Sequence, residues 1–145
     1  MYENKLALYA KNQRTVNSAR EVEAEALTLG ANKLQYCHDN WESKEVKKLL
    51  AEALKFNQRL WTIFQASLGS ENNRLPENLK LELLKLSAFM DNQIFSIMAF
   101  PAREKLLPII KINLDLATGL KNKVFIKPSA IPPGTHCAPS LEIRV

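Results

Sequence analysis

Residues 46–67 read VKKLLAEALKFNQRLWTIFQAS, and their apolar side chains recur three and four positions apart. This spacing places them on one face of a helix, because an α-helix completes a turn every 3.6 residues. Gly69 and a polar stretch follow, which predicts that the helix ends near Ser67. We therefore expect an amphipathic helix whose apolar face packs against other helices.

A similar apolar stripe lies upstream of this segment. The S-x-x-E pattern of Ser18 and Glu21 has the form of a capping box, in which the two side chains bond to amides of the first helical turn. We therefore predict that the first long helix begins at Ser18 and that a shorter helix precedes it. The stripe behind the box consists of Ala24, Leu27, Ala31 and Leu34.

Prolines mark the helices that follow. Pro76 lies where the first turn of a helix accepts proline, and Pro101 would end that helix. Pro108 is expected to bend or delay the start of a last helix, for which Gly119 is the predicted C-cap. Strand patterns are nearly absent before residue 121. The sequence therefore predicts an all-α fold, an antiparallel bundle of about four to five helices with short connections.

The last 25 residues differ in composition from the rest of the chain. Residues 121–145 contain four of the seven prolines. A segment so rich in proline neither continues a helix nor alternates as a strand does, so we predict an irregular, flexible tail. This divides the chain into a helical domain, residues 1–120, and a Pro-rich basic tail, residues 121–145.

The net charge of +5 is unevenly distributed. Residues 1–120 carry 16 Lys and Arg against 14 Asp and Glu, whereas residues 121–145 carry 4 against 1. A nucleic-acid-binding domain usually concentrates its positive charge on one face of the fold. Direct binding of nucleic acid by the nearly balanced helical part is therefore not expected.

The hydropathy of the chain argues for a cytoplasmic location. No stretch approaches the roughly 18 consecutive apolar residues of a membrane span. The first residues, MYENK, lead into a polar stretch without the apolar region of a secretory signal. We therefore expect a cytoplasmic protein that does not contact the membrane, and its oligomeric state stays open.

Residues with catalytic or metal-binding chemistry are few. Each cysteine has a histidine beside it, in Cys37-His38 and His136-Cys137, so a zinc site with two sulfurs and two nitrogens is conceivable. However, neighbouring side chains on a helix point about 100° apart, and we favour two unrelated thiols in a reducing compartment. Catalytic triads, phosphate loops and metal motifs are absent. We expect no enzymatic activity, no cofactor and no metal.

Two asparagines, Asn57 and Asn113, interrupt the apolar stripes of their helices. A buried amide without hydrogen-bond partners costs about 1–3 kcal/mol. Two interpretations are open. Either the amides bond to each other or to backbone and fix the register of the helices, or they line a groove and meet the backbone of a partner. We favour the structural interpretation for the pair.

The apolar side chains of residues 60–64 cover too wide an arc for one buried stripe. In a small bundle, burial on every side is hard to arrange, so part of the arc is expected to face a partner. Tryptophan and arginine often anchor protein interfaces. Whether Trp61 belongs to such an interface or to the core is open. The predicted partner-binding surface consists of Asn57, Arg59, Leu60, Trp61, Ile63 and Phe64.

Several stretches of the chain resemble the FlaF family of flagellar biosynthesis regulators. They are SAREVEAEAL at residues 18–27, LKFNQRLWTIF at residues 54–64 and LSAF at residues 86–89. The segment INLDLATGL, residues 112–120, is similar to the usual end of that family. The block NQRLWTIF is the specific part, and the resemblance covers roughly residues 1–120.

This resemblance implies a non-enzymatic role in flagellum biogenesis, linked to flagellin production and export and opposed to the repressor family FlbT. We accordingly expect a flagellin-binding export chaperone that also promotes flagellin synthesis, with the FlbT regulator as a further candidate partner. An apolar groove would hold a terminal segment of flagellin, because such segments form amphipathic helices on assembly.

Two alternatives to a flagellin chaperone are kept. One is post-transcriptional control, either through a regulatory protein partner or by contact with flagellin mRNA. The other is a dimer that buries the apolar arc against itself. Contact with mRNA would use the basic tail and aromatic stacking. In the helical part it would use Lys44, Lys47, Lys48, Lys55 and Arg59.

Overall fold

The computed structural model describes residues 2–122. For the residues up to Ser18, this description is of the helical backbone. The α-helices of this part, joined by short connections, are α1 (Tyr2–Asp39), α2 (Val46–Leu68), α3 (Glu77–Ala99) and α4 (Leu106–Lys121). A 3-10 turn, Arg103–Lys105, precedes α4. Because residues 2–122 contain helices and no strand, the prediction of an all-α bundle of about four to five helices is confirmed.

The bundle is organised around α1, which packs against both α2 and α4, while α3 packs mainly against α2. Arg103 Nε donates to the His38 carbonyl near the end of α1, and Asn113 lies farther back along α1, beside Gly30. α4 therefore runs antiparallel to α1. The small residues Ala24, Gly30 and Ala31 face inward on α1 and allow the neighbouring helices to approach closely.

The core between the helices is aliphatic. Each large aliphatic side chain removed from water contributes about 1.5–3 kcal/mol, so these residues provide most of the driving force for folding. The largest fully buried apolar side chains are Leu27, Leu34, Leu86, Met90, Ile94, Ile97, Leu106, Ile109 and Ile112. Within residues 2–122, none of the helices combines the length and the hydropathy that a membrane span requires.

Four predicted helix boundaries are confirmed. α2 ends directly before Gly69, and α3 begins directly after Pro76. α3 also ends before Pro101, where the chain leaves the helical conformation. Pro108 lies in the first turn of α4, whose start is delayed by the 3-10 turn. Each residue acts through its backbone, because proline lacks the amide that a helix interior needs and glycine follows a helix readily.

Two other predicted helix ends are wrong. α1 runs without interruption from Tyr2 through Ser18, so Ser18 is not an N-cap and no separate short helix precedes it. An N-cap residue has a non-helical backbone. Glu21 is exposed, and Ser and Glu spaced by three residues also fit the solvent side of a continuing helix. Gly119 lies inside α4 and is buried, and the C-cap is Asn122.

Part of the predicted tail lies outside the described residues. Lys121 is the last residue of α4, and Asn122 forms the turn that follows it. Residues 123–145 are not among those described. The second half of the conceivable zinc site, His136-Cys137, therefore also lies outside the described residues. Among the side chains that the structure describes, no group of three His, Cys, Asp or Glu is arranged to hold a metal ion.

Cys37 lies in the core and is 1% exposed, and burial raises the pKa of its thiol. In a Cys137→Ser variant, we expect a disulfide-exchange reagent to label Cys37 only as fast as the protein opens. The reason is that the reactive thiolate is both shielded and scarce. Absorbance of the released thiol measures this rate, and denaturant should make the labelling fast. Rapid labelling of the folded protein would contradict the burial of Cys37.

Candidate functional site

Asn57 and Asn113 meet at the centre of the bundle. Asn113 Nδ2 donates to Asn57 Oδ1 at 2.6 Å. Asn57 Nδ2 donates to the carbonyl oxygens of Ala53 at 2.8 Å and Gly30 at 3.2 Å. Trp61 Nε1 donates to Asn113 Oδ1 at 3.0 Å. The two amides are bonded to each other and to backbone, which confirms the structural interpretation of this pair.

This network links three helices through α1 backbone, α2 side chains and an α4 side chain. The amides can approach α1 closely because residue 30 is glycine. A Cβ atom there would lie 2.6 Å from Asn57 Oδ1 and 3.1 Å from Asn113 Nδ2. Glycine inside a helix costs about 1 kcal/mol relative to alanine. The buried hydrogen bonds offset that cost and fix the register of α2 and α4 on α1.

The network changes the interpretation of the predicted partner-binding surface. Asn57, Leu60 and Trp61 are 0%, 8% and 2% exposed, so the outer side of α2 does not present them, and of the three only Trp61 lines a cavity. The physical reason is that α2 is covered by α1 and α3 and reached by Asn113 of α4. Neighbouring helices therefore cover a wider arc of α2 than a single contact would.

The other three residues of the predicted surface are accessible, but they do not form one site. Arg59 is exposed, and Ile63 is 65% exposed on the outer side of α2. Phe64 is half-buried, and its ring packs edge-on against Trp61 with the ring centroids 5.7 Å apart. Phe64 lines a cavity with Trp61, whereas Arg59 and Ile63 lie outside its lining.

That cavity is an apolar groove of about 640 Å³, which we call the end groove because the last turns of α2 and α4 line it. Trp61 forms part of the lining with its ring, although the indole N–H is held by Asn113. The loop between α2 and α3 completes the groove. Its apolar lining consists of Ala19, Leu27, Trp61, Phe64, Leu68, Leu75, Leu83, Leu116 and Leu120.

The loop side of the end groove is held by Asn73. Its Nδ2 donates to the Ser67 carbonyl at 3.0 Å, and its Oδ1 accepts from the Leu75 amide at 3.0 Å. These bonds tie the loop to the end of α2 and place Leu75 over the groove. Such Asn bonds to nearby backbone are a common way of fixing a turn.

Among the described lining residues two are charged, and both are positive: Arg20 of α1 and Arg74 of the loop. The remaining polar lining, Ser67, Asn72 and Asn73, is uncharged. Near Arg20, burial raises the pKa of the Glu23 carboxyl, and the positive charge of Arg20 opposes that rise. Arg20 is therefore partly balanced by a neighbouring carboxylate. The charges that the described lining contributes to the groove are therefore both positive.

A second apolar cavity, of about 430 Å³, lies where α2 begins and α3 ends. It is smaller than the end groove, and none of the six predicted surface residues lines it. Its lining consists of Trp41, Val46, Lys47, Leu50, Ala51, Leu54, Ile97, Met98 and Pro101.

Sequence reasoning found the aromatic part of the end groove and missed the rest. In the sequence, nothing distinguishes Leu68, Leu116 and Leu120 from other leucines of the helices, or Arg20 and Arg74 from other charged residues. Their common signal was position, since the three leucines lie in the last turns of their helices. Side chains at neighbouring helix ends lack a further turn to cover them, which leaves an opening there.

The architecture defines a class of protein, an all-α bundle with an open apolar groove at one end. A family model described as the flagellar protein FlaF matches residues 5–120. The match spans nearly all of the four helices, so the chain belongs to the FlaF family of flagellar proteins, as the resemblance predicted. Searches of curated proteins and of solved structures each returned no match.

Proposed function

We propose that this protein binds flagellin in the end groove, and that it acts as an export chaperone that also promotes flagellin synthesis. The observation that carries the proposal is the groove, an open apolar cavity of about 640 Å³ in a member of a flagellar protein family. Cavities of this size bury most of a bound group's surface, and amphipathic helices bind in such grooves. The family resemblance supplies flagellin as the partner.

The floor of the groove is preorganised for this role. Trp61 is fixed by its hydrogen bond to Asn113 and by the core around it, so it loses little freedom when a partner binds. Phe64 lies beside it, half-buried, and keeps apolar surface available. A flagellin segment that places its apolar face here would be removed from water and kept from premature assembly with other subunits.

Chaperone and regulatory roles follow from one binding equilibrium. When flagellin waits for export, the groove is occupied, and when export has cleared it, the groove is empty. A regulator such as FlbT that distinguishes the two states would couple flagellin synthesis to export. Such coupling requires only that the regulator bind one state more tightly than the other.

Phe64→Asp is expected to weaken flagellin binding by at least about tenfold, because it removes apolar contact and places a charge against apolar surface. Titration calorimetry with purified flagellin measures the affinity, and circular dichroism must show that the variant stays helical. Leu107→Asp is the matched control. Leu107 is an exposed apolar side chain at the start of α4 and lies outside the groove lining.

Ile63→Asp tests the original surface on the outer side of α2. If it abolishes binding while Phe64→Asp does not, flagellin binds the outer face of α2 and the groove is not the site. If wild-type protein gives no binding heat with flagellin, the chaperone proposal is wrong.

The second candidate function is contact with flagellin mRNA, favoured by one observation. Lys47, Lys48, Lys55 and Arg59 are all exposed on α2. Binding of RNA through these four charges would weaken steeply as salt rises, whereas binding in the groove, where two arginines lie beside apolar surface, would weaken much less. Measuring the affinity for the flagellin transcript and the affinity for flagellin, each at low and high salt, separates the two functions.

A further inference from the structure

We propose that the segment taken by the end groove is an amphipathic helix with carboxylates beside its apolar face. The inference rests on the proposed function for flagellin as the source of that helix. It adds the chemistry by which one segment would be selected over others of similar hydropathy.

The charge of the groove carries this inference. Of the fourteen lining residues that the structure describes, two are charged, and both are arginines. Arg74 is exposed in the loop, and among the side chains of residues 19–122 none forms an ion pair or hydrogen bond with its guanidinium group. Arg20 lies near Glu23, and its positive charge opposes the rise that burial causes in the pKa of that carboxyl. Arg74 is therefore the freer of the two to pair with a bound molecule.

Because the two arginines lie beside apolar surface, they favour a bound helix with carboxylates over one with lysines. An arginine side chain presents a planar fork of donors that matches the two oxygens of a carboxylate. Apolar surface beside it excludes water when the groove is filled, which strengthens the pairing. A helix with glutamates along the edge of its apolar face would satisfy both features at once, whereas lysines in those places would be repelled.

Charge also decides against the apolar segment that directly follows α4 as the occupant. The chain leaves α4 at Asn122, near Leu120 of the groove, and Val124, Phe125 and Ile126 follow closely. These apolar residues are flanked by Lys123 and Lys127. Like charges facing Arg20 and Arg74 would oppose their insertion, so an acidic segment of a partner fits the groove better.

Trp61 allows a direct test. The chain has two tryptophans, so Trp41→Phe leaves Trp61 as the only one, and it lines the groove. The probes are two 18-residue amphipathic helical peptides with the same leucines, flanked by glutamates in one and by lysines in the other. We expect the glutamate peptide to bind at least about tenfold tighter at low salt, with the difference shrinking as salt rises.

Arg74→Glu should reverse this preference in the full chain. Binding of the glutamate peptide is expected to weaken by roughly three- to tenfold, and binding of the lysine peptide to strengthen. Lys48→Glu is the matched control. Lys48 is exposed at the other end of α2, and its replacement by glutamate changes the net charge by the same amount as Arg74→Glu. Equal binding of the two peptides, or an equal effect of the two variants, would overturn the inference.

Flagellin provides the arm that separates this inference from the proposed function. If flagellin binds wild type and Phe64→Asp removes binding, but Arg74→Glu has no effect, the function stands and the acidic segment is wrong. If the glutamate peptide binds and flagellin does not, flagellin is wrong as the source and the groove chemistry stands.

Two further outcomes would name a different occupant and overturn the inference. The first is a change in Trp61 emission when Phe125→Ser is introduced, which would place the chain's own C-terminal residues in the groove. The second is a dimer in sedimentation that Phe64→Asp dissociates, which would place a second copy there. Neither change is expected.

Discussion

Gly30→Ala is expected to lower the free energy of unfolding by about 2–4 kcal/mol. The added methyl would lie 2.6 Å from Asn57 Oδ1, closer than a Cβ atom approaches an oxygen in a relaxed structure. Asn57 cannot turn away, because its amide bonds to Asn113, Ala53 and the Gly30 carbonyl itself. The gain of about 1 kcal/mol in helix propensity is smaller than this loss. Urea unfolding followed by circular dichroism measures the change.

Gly69→Ala is the control for this substitution. A Cβ atom at Gly69 would lie 3.6 Å from the Gln65 carbonyl, an ordinary contact, and the backbone there has a φ of −81°. Alanine is therefore expected to change the free energy of unfolding by less than about 1 kcal/mol, in the stabilising direction. If the two glycine variants are equally stable, the close approach of α1 to the amides is wrong.

Asn113→Ala is expected to destabilise the protein by about 3 kcal/mol or more. It leaves Trp61 Nε1 and Asn57 Oδ1 buried without those partners, and it opens a cavity beside them. The unfolding midpoint in urea and the emission of Trp61 in a Trp41→Phe background both report the change. Asn32→Ala, at an exposed position of α1, should alter stability by no more than about 0.5 kcal/mol.

A double-mutant cycle tests whether the amides act as a unit. Once Asn113 is gone, Asn57→Ala should cost less than it does alone, because the hydrogen bond between them is lost only once. Strictly additive losses would contradict the direct bond and would point to two independent amides, each satisfied by backbone.

Much of the fold could be predicted because its determinants are local. The periodicity of α2 and the prolines before α3 and α4 act over one or two turns, so they can be read from the chain itself. Asn57 and Asn113 were informative for a related reason, since an amide in an apolar stripe requires a partner. Ser18 misled, because a four-residue capping pattern carries no information about whether a helix already exists before it.

The site was less predictable because it depends on where helices end relative to one another. Trp61 and Ile63 are two positions apart in one helix, yet one lines the groove and the other faces away from it. Which of them is covered is decided by the direction in which α1 and α3 lie. Arg74 lies in the groove lining because Asn73 ties the loop between α2 and α3 to the end of α2. A helical sequence pattern does not predict the conformation of that loop.

The buried amide network has a consequence for how such a chain can diverge. Asn57, Trp61 and Asn113 are linked by hydrogen bonds, and Gly30 leaves the space that the two amides occupy. A lineage that replaces one of them inherits a defect until a compensating replacement occurs, so the four positions should drift together or hardly at all. The exposed residues on the outer side of α2, such as Ile63, take no part in this network and can change without disturbing it.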